Sequence, residues 1–322
     1  MLTGGNCLKP LISLIIPCFN EEAALGPLHS ELCAVCGAME EKYGVCFEFL
    51  LVNDGSRDQT LAVLRELAKK DERIRYISFS RNFGKEASIY AGLQNCTGAY
   101  IAVLDADLQD PPDLLPVMYE SIITEGYDCV AAQRTTRKGE PRIRSFFARS
   151  FYRIINAISK TKIADGARDF SMMTRQVADS ILAMPEYNRF SKGIFSWVGF
   201  ETKLLPYENV KRSKGSTKWS FGNLVMYALD GIISFSTAPL IIASVSGILL
   251  CIGALVAICI VVIKTLLYGD PVAGFPTLIC AICFIGGIQL LCIGILGQYL
   301  AKTYLEVKKR PIYLIKESKL SR

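Results

Sequence analysis

Residues 99–115, AYIAVLDADLQDPPDLL, join an apolar run to a group of acidic and polar residues. The apolar run predicts a buried β-strand, and Asp105 and Asp107 follow it, one residue apart. Because residues i and i+2 of an extended strand point to the same side, these two carboxylates are expected to lie together. Adjacent carboxylates repel each other unless a cation or a shared proton relieves them. The segment therefore predicts a strand that ends in a cation-binding group.

The first 135 residues repeat this arrangement of an apolar strand followed by polar residues. The strand-like runs are LISLIIPCFN, CFEFLLVNDGS, IRYISFSRN, AYIAVLDAD and YDCVAAQR. They alternate with helical patterns near residues 22–43, 58–70, 84–96 and 112–125. Strands that alternate with helices indicate βαβ units, so we predict an α/β fold with a mostly parallel sheet that is covered on both faces.

Polar clusters follow four of these predicted strands, with the sequences NEE, NDGS, SRNFGK and DADLQD. Open α/β sheets bind ligands at the carboxyl ends of their strands, so this edge is predicted to bind a ligand. Gln109 would lie on the same side as Asp105 and Asp107 and offers a carbonyl oxygen. A set of oxygen ligands favours Mg²⁺ or Mn²⁺, and substrate phosphates usually complete the shell of such a metal.

Other polar residues at this edge are explained by helix capping. Asp110 precedes two prolines, which is typical of an N-cap followed by a first helical turn, and Asp113 suits the helix dipole. Ser56 or Asp58 can cap the helix that follows the second strand. For these residues we favour capping over ligand binding.

The histidine and cysteine content argues against other kinds of site. His29 is the only histidine, so a histidine-centred triad is excluded unless that residue serves it. Cys33 and Cys36 match half of a zinc site, but no second pair or nearby histidine completes it. We predict that both lie on the buried face of a helix. The twelve cysteines are expected to remain thiols in a cytoplasmic domain.

The C-terminal part contains two long apolar segments, and residues 237–264 and 272–301 are predicted to be transmembrane helices. Residues 238–263 carry no charge, and a helix of that length spans about 39 Å. A buried helical hairpin in a soluble core is the alternative. Basic residues flank the outer ends of the hairpin rather than its loop. The positive-inside rule then places both termini, and the region before residue 236, in the cytoplasm, and no signal peptide is visible.

The net charge of +6 is concentrated near these apolar segments and in RTTRKGEPRIRSFFAR. This distribution fits a membrane surface or phosphate groups, and no nucleic-acid-binding motif is present. Residues 145–160 and 216–236 have the pattern of amphipathic helices that lie in the membrane interface, with core packing as the alternative. Residues 302–322 are predicted to form a cytoplasmic basic tail.

The ordered motifs PCFNEE, NDGSRDQT, SRNFGKEASIYAGL and DADLQDPP resemble those of the inverting family 2 glycosyltransferases, which have a GT-A fold. RKGEPRIRS, RDFSMMTRQ, RSKGSTKWS and GQYLAKTYLEVKKRPIYLI extend the resemblance to the branch of dolichyl-phosphate mannose synthases and bactoprenol glucosyltransferases. It covers nearly the whole chain. It implies a cytoplasmic Rossmann-like GT-A domain over residues 1–215, followed by interfacial helices and a transmembrane hairpin in the inner membrane.

The family pattern, carried onto this sequence, implies a place for each reactant. Asp105 would lie beside the ribose and diphosphate, while Asp107 and Gln109 would hold the metal, which Asp105 can also contact. The other residues implied for the nucleotide-sugar donor are Pro17, Phe19, Glu21, Asp54, Lys85 and Arg212. Those implied for the lipid phosphate are Arg134, Arg142 and Arg144, with Arg149 or Ser150 able to replace one of them.

The residue types suit the implied transfer of a sugar to a polyprenyl phosphate. The metal and Arg212 can stabilise the negative charge that develops on the leaving diphosphate. The acceptor is largely ionised near neutral pH because its second pKa is about 6, so a strong general base is hardly needed. Asp107 and Asp169 are the predicted catalytic carboxylates. Asp169 would orient the acceptor or a sugar hydroxyl, and the alternative is a structural loop aspartate paired with Arg168.

We expect inverting transfer of a single sugar to undecaprenyl phosphate for cell-envelope glycosylation, with UDP-glucose as the favoured donor. UDP-N-acetylhexosamine, UDP-aminoarabinose and GDP-mannose are the alternative donors, and a non-catalytic membrane scaffold is the alternative class. A processive polysaccharide synthase is disfavoured, because the sequence contains no Arg-Trp pair and therefore no Q-x-x-R-W signature. The resemblance also implies a homo-oligomer, with a tetramer as the expected form.

Overall fold

The structure is a computed structural model that describes residues 9–134, 156, 167–207, 233, 236–268 and 274–320. Its strands are β1 (Leu11–Cys18), β2 (Cys46–Asn53), β3 (Ile74–Phe79), β4 (Tyr100–Val103), β5 (Cys129–Arg134), β6 (Ala167–Thr174), β7 (Thr202–Tyr207) and β8 (Ile315–Lys319). Its helices are α1 (Leu25–Tyr43), α2 (Thr60–Lys70), α3 (Lys85–Asn95), α4 (Leu114–Glu125), α5 (Arg175–Leu182), α6 (Ser191–Trp197), α7 (Ala238–Tyr268) and α8 (Phe275–Val307).

The strands of the described residues belong to one sheet, in the order β7-β5-β6-β4-β1-β2-β3-β8. The central strands β4, β1, β2 and β3 are parallel, as the alternation of strands and helices predicts. β6 is inserted antiparallel between β4 and β5, and β8 is antiparallel to β3. The predicted α/β fold with a mostly parallel sheet is confirmed, and its five predicted strands correspond to β1–β5.

The two faces of the sheet are covered by different helices. Along β2, Phe49 and Leu51 contribute to one buried cluster, which also contains residues of α1, α2 and α4. Leu50 and Val52 point to the opposite face and pack with residues of α3, α5 and α6. Alternate residues of a strand point to opposite faces, so a continuous apolar strand such as β2 requires cover on both.

The chain returns to this sheet after its last helix. α8 extends to Val307, beyond the predicted end at residue 301, and the residues that follow lead into β8. β8 pairs with β3 from Tyr76 opposite Lys319 to Phe79 opposite Ile315. The sheet is therefore not confined to residues 1–215, and residues 302–322 are not simply a basic tail.

Both C-terminal helices contain a segment long and apolar enough to cross a membrane, judged by length and composition. The segments are Ala238–Val256, with a mean hydropathy of 2.4, and Phe284–Val307, with a mean hydropathy of 1.7, and neither is buried in the structure. The Tyr299 hydroxyl donates to the Ser236 carbonyl at 2.5 Å, which joins α8 to the start of α7. The predicted interfacial helices at 145–160 and 216–236 lie outside the described residues, apart from Asn156, Ile233 and Ser236.

Candidate active site

The polar clusters predicted at the strand ends meet beside β1. This strand pairs with β2 on one side and β4 on the other, so the chain order reverses between β1 and β4. Ligand sites of open α/β sheets form at such a switch point. Burial raises the pKa of the Cys18 thiol at the end of β1, and the Glu21 and Asp105 carboxylates raise it further. Two predicted site residues from different strand ends thus act electrostatically on the same thiol.

Asp54, predicted to line the nucleotide pocket, fixes the loop between β3 and α3. Its two carboxylate oxygens accept the backbone N–H groups of Phe83, at 2.6 Å, and Gly84, at 2.9 Å. Burial raises the pKa of Asp54, although these hydrogen bonds favour its charged form. The adjacent Gly55 has a φ of +61°, and a Cβ there would lie 2.3 Å from the Arg81 carbonyl carbon. Only glycine fits this close approach of the two loops.

The loop after β1, which follows Pro17 and contains Phe19, is joined to the start of α2. The Asn20 N–H donates to Ser56 Oγ at 3.0 Å, and the Glu21 N–H donates to Thr60 Oγ1 at 2.9 Å. At the start of α2, the N–H of Thr60, its first residue, donates to Asp58 Oδ1 at 3.0 Å. Of the two residues predicted to cap α2, Asp58 accepts a hydrogen bond from the first residue of that helix. Ser56 instead accepts a hydrogen bond from the loop after β1.

Lys85 supplies the positive charge that Asp105 requires. It is the first residue of α3, and its Nζ lies 2.6 Å from Asp105 Oδ1 and 2.5 Å from Asp169 Oδ2. Burial disfavours the charged ammonium, but the two carboxylates outweigh it and raise the pKa of Lys85. Burial likewise raises the pKa of Asp169, but Lys85 and Lys192 reverse the shift and hold that pKa well below its ordinary value. The structure therefore joins two predicted carboxylates through one ammonium group.

Asp169 differs from the structural alternative considered for it. It lies within β6 rather than in a loop, and its ion pair is with Lys85. Its neighbour Arg168 instead donates from Nε to Asp110 Oδ1, at 3.1 Å, and from Nη2 to Gln109 Oε1, at 3.2 Å. Successive residues of β6 therefore serve different parts of the site.

The segment that holds Asp105, Asp107 and Gln109 is a turn and not the extended strand that the sequence suggested. β4 ends at Val103, and Leu108 has a φ of 56°. The Gln109 N–H donates to Asp107 Oδ1 at 3.2 Å, so these two residues approach each other through the turn. The expectation that alternation along a strand places the two aspartates on one side is therefore wrong in its geometry.

Asp110 does not cap α4, which corrects the prediction made from its two following prolines. The N-cap residue is Asp113, with no side-chain capping hydrogen bond, and Asp110 is buried, 2% exposed. Its carboxylate pairs with Arg168 and accepts a hydrogen bond from the Tyr207 hydroxyl. Burial raises the pKa of Asp110, and the Arg168 charge opposes this shift. Tertiary contacts with β6 and β7 thus override the local capping preference.

The donor set of the turn fits a divalent metal ion. Asp105, Asp107 and Gln109 offer carboxylate and amide oxygens, which are the ligands that Mg²⁺ and Mn²⁺ prefer. The Lys85 ammonium beside Asp105 shows that the site attracts positive charge. Arg168 already donates to the Gln109 oxygen, so a metal there would share that atom with a guanidinium.

The residues implied for phosphate binding are only partly described. Arg134 ends β5, where it pairs in register with Tyr207 of β7. Arg142, Arg144, Arg149 and Arg212 lie outside the described residues.

Nothing in the sequence indicated that Glu86 is a partly buried residue of this site. The sequence also suggested Asp169, rather than Asp110, as the partner of Arg168. Burial, with a smaller effect from Asp169, raises the pKa of Glu86 to about 7. Its carboxylate accepts the N–H of Ser191, at 3.0 Å, and also the Ser191 hydroxyl. Glu86 stands next to Lys85 in the sequence, but its partner is 105 residues away, and no local pattern links the two.

A second polar cluster lies between α1 and α2. His29 Nε2 is 3.0 Å from Asp71 Oδ2 and 3.3 Å from Cys33 Sγ, so a histidine does lie beside this cysteine. Cys36 is buried as predicted, but Cys33 is only partly buried. The Arg73 guanidinium contacts Asp71 Oδ2 at 2.8 Å and Cys33 Sγ at 3.2 Å. Because a cationic side chain already satisfies these atoms, the group is an ion-pair cluster.

The fold is α/β, and charged side chains gather at the carboxyl ends of its strands beside β1 and β4. The glycosyl transferase family 2 model matches residues 13–182, and the chain belongs to that family. It is 40% identical over 96% of its length, and 99% of the relative's, to the prophage bactoprenol glucosyl transferase homolog of Escherichia coli K12. It is 39% identical over 95% of its length, and 98% of the relative's, to the SfII prophage-derived bactoprenol glucosyl transferase of Shigella flexneri.

Among solved structures, the chain is similar to the glucosyl-3-phosphoglycerate synthase of Mycobacterium tuberculosis in complex with Mn²⁺, UDP-glucose and phosphoglyceric acid. That likeness has a TM-score of 0.45 and 18% identity, and it covers 70% of this chain and 78% of the other. The family membership agrees with the resemblance found in the sequence motifs. The protein is a glycosyltransferase.

Proposed function

We propose that this glycosyltransferase moves one glucose from UDP-glucose to the phosphate of a polyprenyl phosphate such as undecaprenyl phosphate, with inversion at the anomeric carbon. The observation that carries the proposal is the meeting of Asp105 and Asp169 on Lys85, beside the turn that holds Asp107 and Gln109. The two relatives named as bactoprenol glucosyl transferases support the choice of sugar and acceptor.

The donor is proposed to bind at the switch point between β1 and β4. Pro17, Phe19 and Glu21 would contact the nucleoside, and Asp54 keeps the 81–84 loop in place beside it. Asp105, Asp107 and Gln109 would hold Mg²⁺ or Mn²⁺. When bound, this ion neutralises negative charge on the diphosphate. The long, flexible side chain of Lys85 provides a further positive charge at the same place.

The transfer needs little proton chemistry from the protein. An acceptor phosphate oxygen forms a bond to the anomeric carbon while the bond from that carbon to the diphosphate oxygen breaks, and the electron pair leaves with the diphosphate. Lys85 keeps the pKa of Asp169 low, so the carboxylate is ionised at neutral pH and can accept a hydrogen bond from a sugar hydroxyl. Asp169 thereby orients the reacting sugar. Lys85 and Arg212 would stabilise the leaving group.

The path of the chain supports a membrane location with both ends on the catalytic side. β8 follows the two apolar helices and pairs with β3. Strands from before α7 and a strand from after α8 therefore belong to one sheet. Two membrane crossings return a chain to the side from which it started. The basic flanks of the hairpin favour the cytoplasmic side of an inner membrane for these ends. Arg134, Arg142, Arg144 and Arg149 are proposed to bind the acceptor phosphate.

The test uses membranes that contain the wild type or Asp107→Ala. Each is incubated with undecaprenyl phosphate and a panel of nucleotide sugars, with Mg²⁺, Mn²⁺ or EDTA, and the lipid product is weighed by mass spectrometry. We expect one added hexose from UDP-glucose and loss of product with EDTA. Asp107→Ala should lower turnover by about 100-fold or more, because charge stabilisation of the leaving group is lost.

Asp113→Asn is the matched control, because Asp113 is exposed and makes no side-chain cap in the same segment. It should retain wild-type turnover. Product from another donor would change the assigned sugar, and a chain of several sugars would overturn single transfer. Tight nucleotide binding without any product would favour a non-catalytic scaffold.

A further inference from the structure

The end of helix α8 makes a specific contact with the catalytic domain. Glu306 lies one residue before the end of α8, and Oε1 of its carboxylate accepts the backbone N–H groups of Tyr187, at 3.0 Å, and Asn188, at 3.2 Å. Its second oxygen, Oε2, lies 3.1 Å from the Tyr187 nitrogen. Hydrogen bonds to an ionised carboxylate are stronger than neutral ones. The apolar helix is therefore joined through Glu306 to the 185–190 loop, which connects α5 to α6.

This loop is in turn fixed to α3, the helix that begins with Lys85. Arg189 is buried, and its guanidinium lies over the Tyr90 ring of α3 at 4.5 Å from the centroid. Ser191, the first residue of α6, follows the loop directly and donates its N–H to Glu86 at 3.0 Å. The contacts run from α8 through the loop to both the first and second turns of α3.

The segment after α8 reaches the same helix by a second route. The Ser80 N–H donates to the Leu314 carbonyl at 2.9 Å, and the Tyr313 ring stacks on Phe79 at 4.9 Å between centroids. The Tyr313 hydroxyl donates to Gln94 Oε1 near the end of α3 at 2.8 Å. α3 is thus held at both ends by groups that depend on the position of α8.

We propose that Glu306 is a positioning residue that fixes the orientation of the catalytic domain, and of Lys85 within it, relative to the membrane. The inference rests on the proposed function, because its consequence concerns a lipid acceptor. The acceptor phosphate is confined to the membrane interface, whereas the nucleotide sugar arrives from solution. A domain that tilts on its anchor moves the donor away from the interface, and displacements of about 1 Å can cost about 100-fold in rate.

The test compares full-length wild type, Glu306→Ala and Glu306→Gln in lipid vesicles. Turnover is measured with undecaprenyl phosphate in the bilayer and with a short-chain, water-soluble prenyl phosphate. For Glu306→Ala we expect the KM for the bilayer acceptor to rise about tenfold, while the donor KM and turnover of the soluble acceptor stay within about twofold. Glu306→Gln should recover part of the loss, because its amide oxygen still accepts a backbone N–H.

Glu125→Ala is the matched control. Glu125 is an exposed carboxylate that accepts hydrogen bonds from Lys203 of β7, at 2.6 and 2.7 Å, on the opposite edge of the sheet from β8. It should leave both acceptors unaffected. Hydrogen exchange gives a readout independent of activity: the Tyr187 and Asn188 amides should exchange faster in Glu306→Ala and at the wild-type rate in Glu125→Ala.

Equal loss with both acceptors would overturn the inference, because Glu306 would then support only the folded site. Unchanged kinetics with faster amide exchange would also overturn it, because the contact would exist without positioning the domain. If the wild type itself transferred no sugar to either acceptor, the proposed function would fail, and the exchange data would show separately whether the contact forms.

Discussion

Two groups of charged side chains lie at opposite ends of the same parallel strands, and they are built differently. At the amino ends, Glu48 of β2 is completely buried. Its carboxylate accepts hydrogen bonds from Ser13 Oγ at 2.5 Å and from the Thr97 N–H at 2.6 Å, and it pairs with Arg75. Donors to this charge come from β1, from β3 and from the segment that precedes β4.

At the carboxyl ends, the Lys85, Asp105 and Asp169 side chains are 40%, 24% and 20% exposed. Here one ammonium serves two carboxylates, and the ionic groups are only partly buried. A buried carboxylate whose hydrogen bonds are all made within the protein, such as Glu48, stabilises the fold. A partly exposed ammonium that is shared by two carboxylates, such as Lys85, can exchange a protein partner for a ligand. The comparison predicts that substitutions at the amino end change stability and those at the carboxyl end change activity.

The largest expected effect on stability comes from Glu48→Ala. Removing one partner of a buried ion pair costs about 3–5 kcal/mol, because Arg75 is left without a counter-charge. Denaturant unfolding of the purified protein measures this loss, and turnover per folded molecule should be unchanged. An unfolding midpoint of Glu48→Ala equal to that of the wild type would contradict the comparison. Glu125→Ala, which removes an exposed carboxylate, is the control.

The same residue gives the amino-end cluster a pH dependence. Burial raises the pKa of Glu48, but the hydrogen bonds from Ser13 and Thr97 and the pairing with Arg75 outweigh it, so the pKa is lowered from 4.5. Its stabilisation is therefore present above the ordinary pKa and is lost as the pH falls through the lowered value. The unfolding midpoint of Glu48→Gln should depend less on pH in this acid range than that of the wild type.

The next largest effect is expected for Lys85→Met, and it concerns activity. Without the ammonium, Asp105 and Asp169 repel each other and the leaving diphosphate loses a cation, so turnover should fall about 100- to 1,000-fold. The free energy of unfolding should fall less than in Glu48→Ala, since these side chains are partly exposed to water. Lys85→Arg keeps the charge and should lose less. Sugar transfer by Lys85→Met at the wild-type rate would show that this cation has no catalytic role.

The smallest effect is expected for Glu86→Gln, and it concerns the pH dependence of stability. It tests whether a partly buried residue beside the carboxyl-end group also contributes to stability. The pKa of Glu86 is raised from 4.5 to about 7, mainly by burial. The folded state then binds the proton more tightly than the unfolded state, so stability should fall as the pH rises from 4.5 to 7. Thermal unfolding of Glu86→Gln across this range should show a flatter dependence than the wild type. If the wild type and Glu86→Gln showed the same pH dependence of thermal unfolding, the raised pKa of Glu86 would be refuted.

The predictable part of the fold is the part with strong local patterns. β1 to β5 and α1 to α4 are apolar strands alternating with helical patterns, and the predicted segments match them closely. β8, with the sequence IKESK, has no apolar signal. It exists because its backbone pairs with β3 and because Glu317 accepts hydrogen bonds from Arg65 and Tyr76. Such an edge strand is determined by its neighbours rather than by its own residues.

The candidate site was predictable to a similar degree. The motif around Asp105 and Asp107 correctly indicated a need for positive charge, because carboxylates at the end of a buried strand require it. The identity of the cation, Lys85, and the joining of Asp169 to the same group depend on the antiparallel insertion of β6 beside β4. Asp110 was assigned to capping because its local sequence favours that role, and the distant Arg168 changed it.

By itself, the sequence determined the alternating order of strands and helices, the two apolar C-terminal helices and the edge at which polar residues gather. These features depend on residue periodicity and on neighbours along the chain. Only the tertiary structure decided which charges meet. Lys85 with Asp169, Arg168 with Asp110 and Glu306 with the Tyr187 N–H are separated by 84, 58 and 119 residues. Partners so far apart are fixed by strand order and helix packing, which leave no local signal in the sequence.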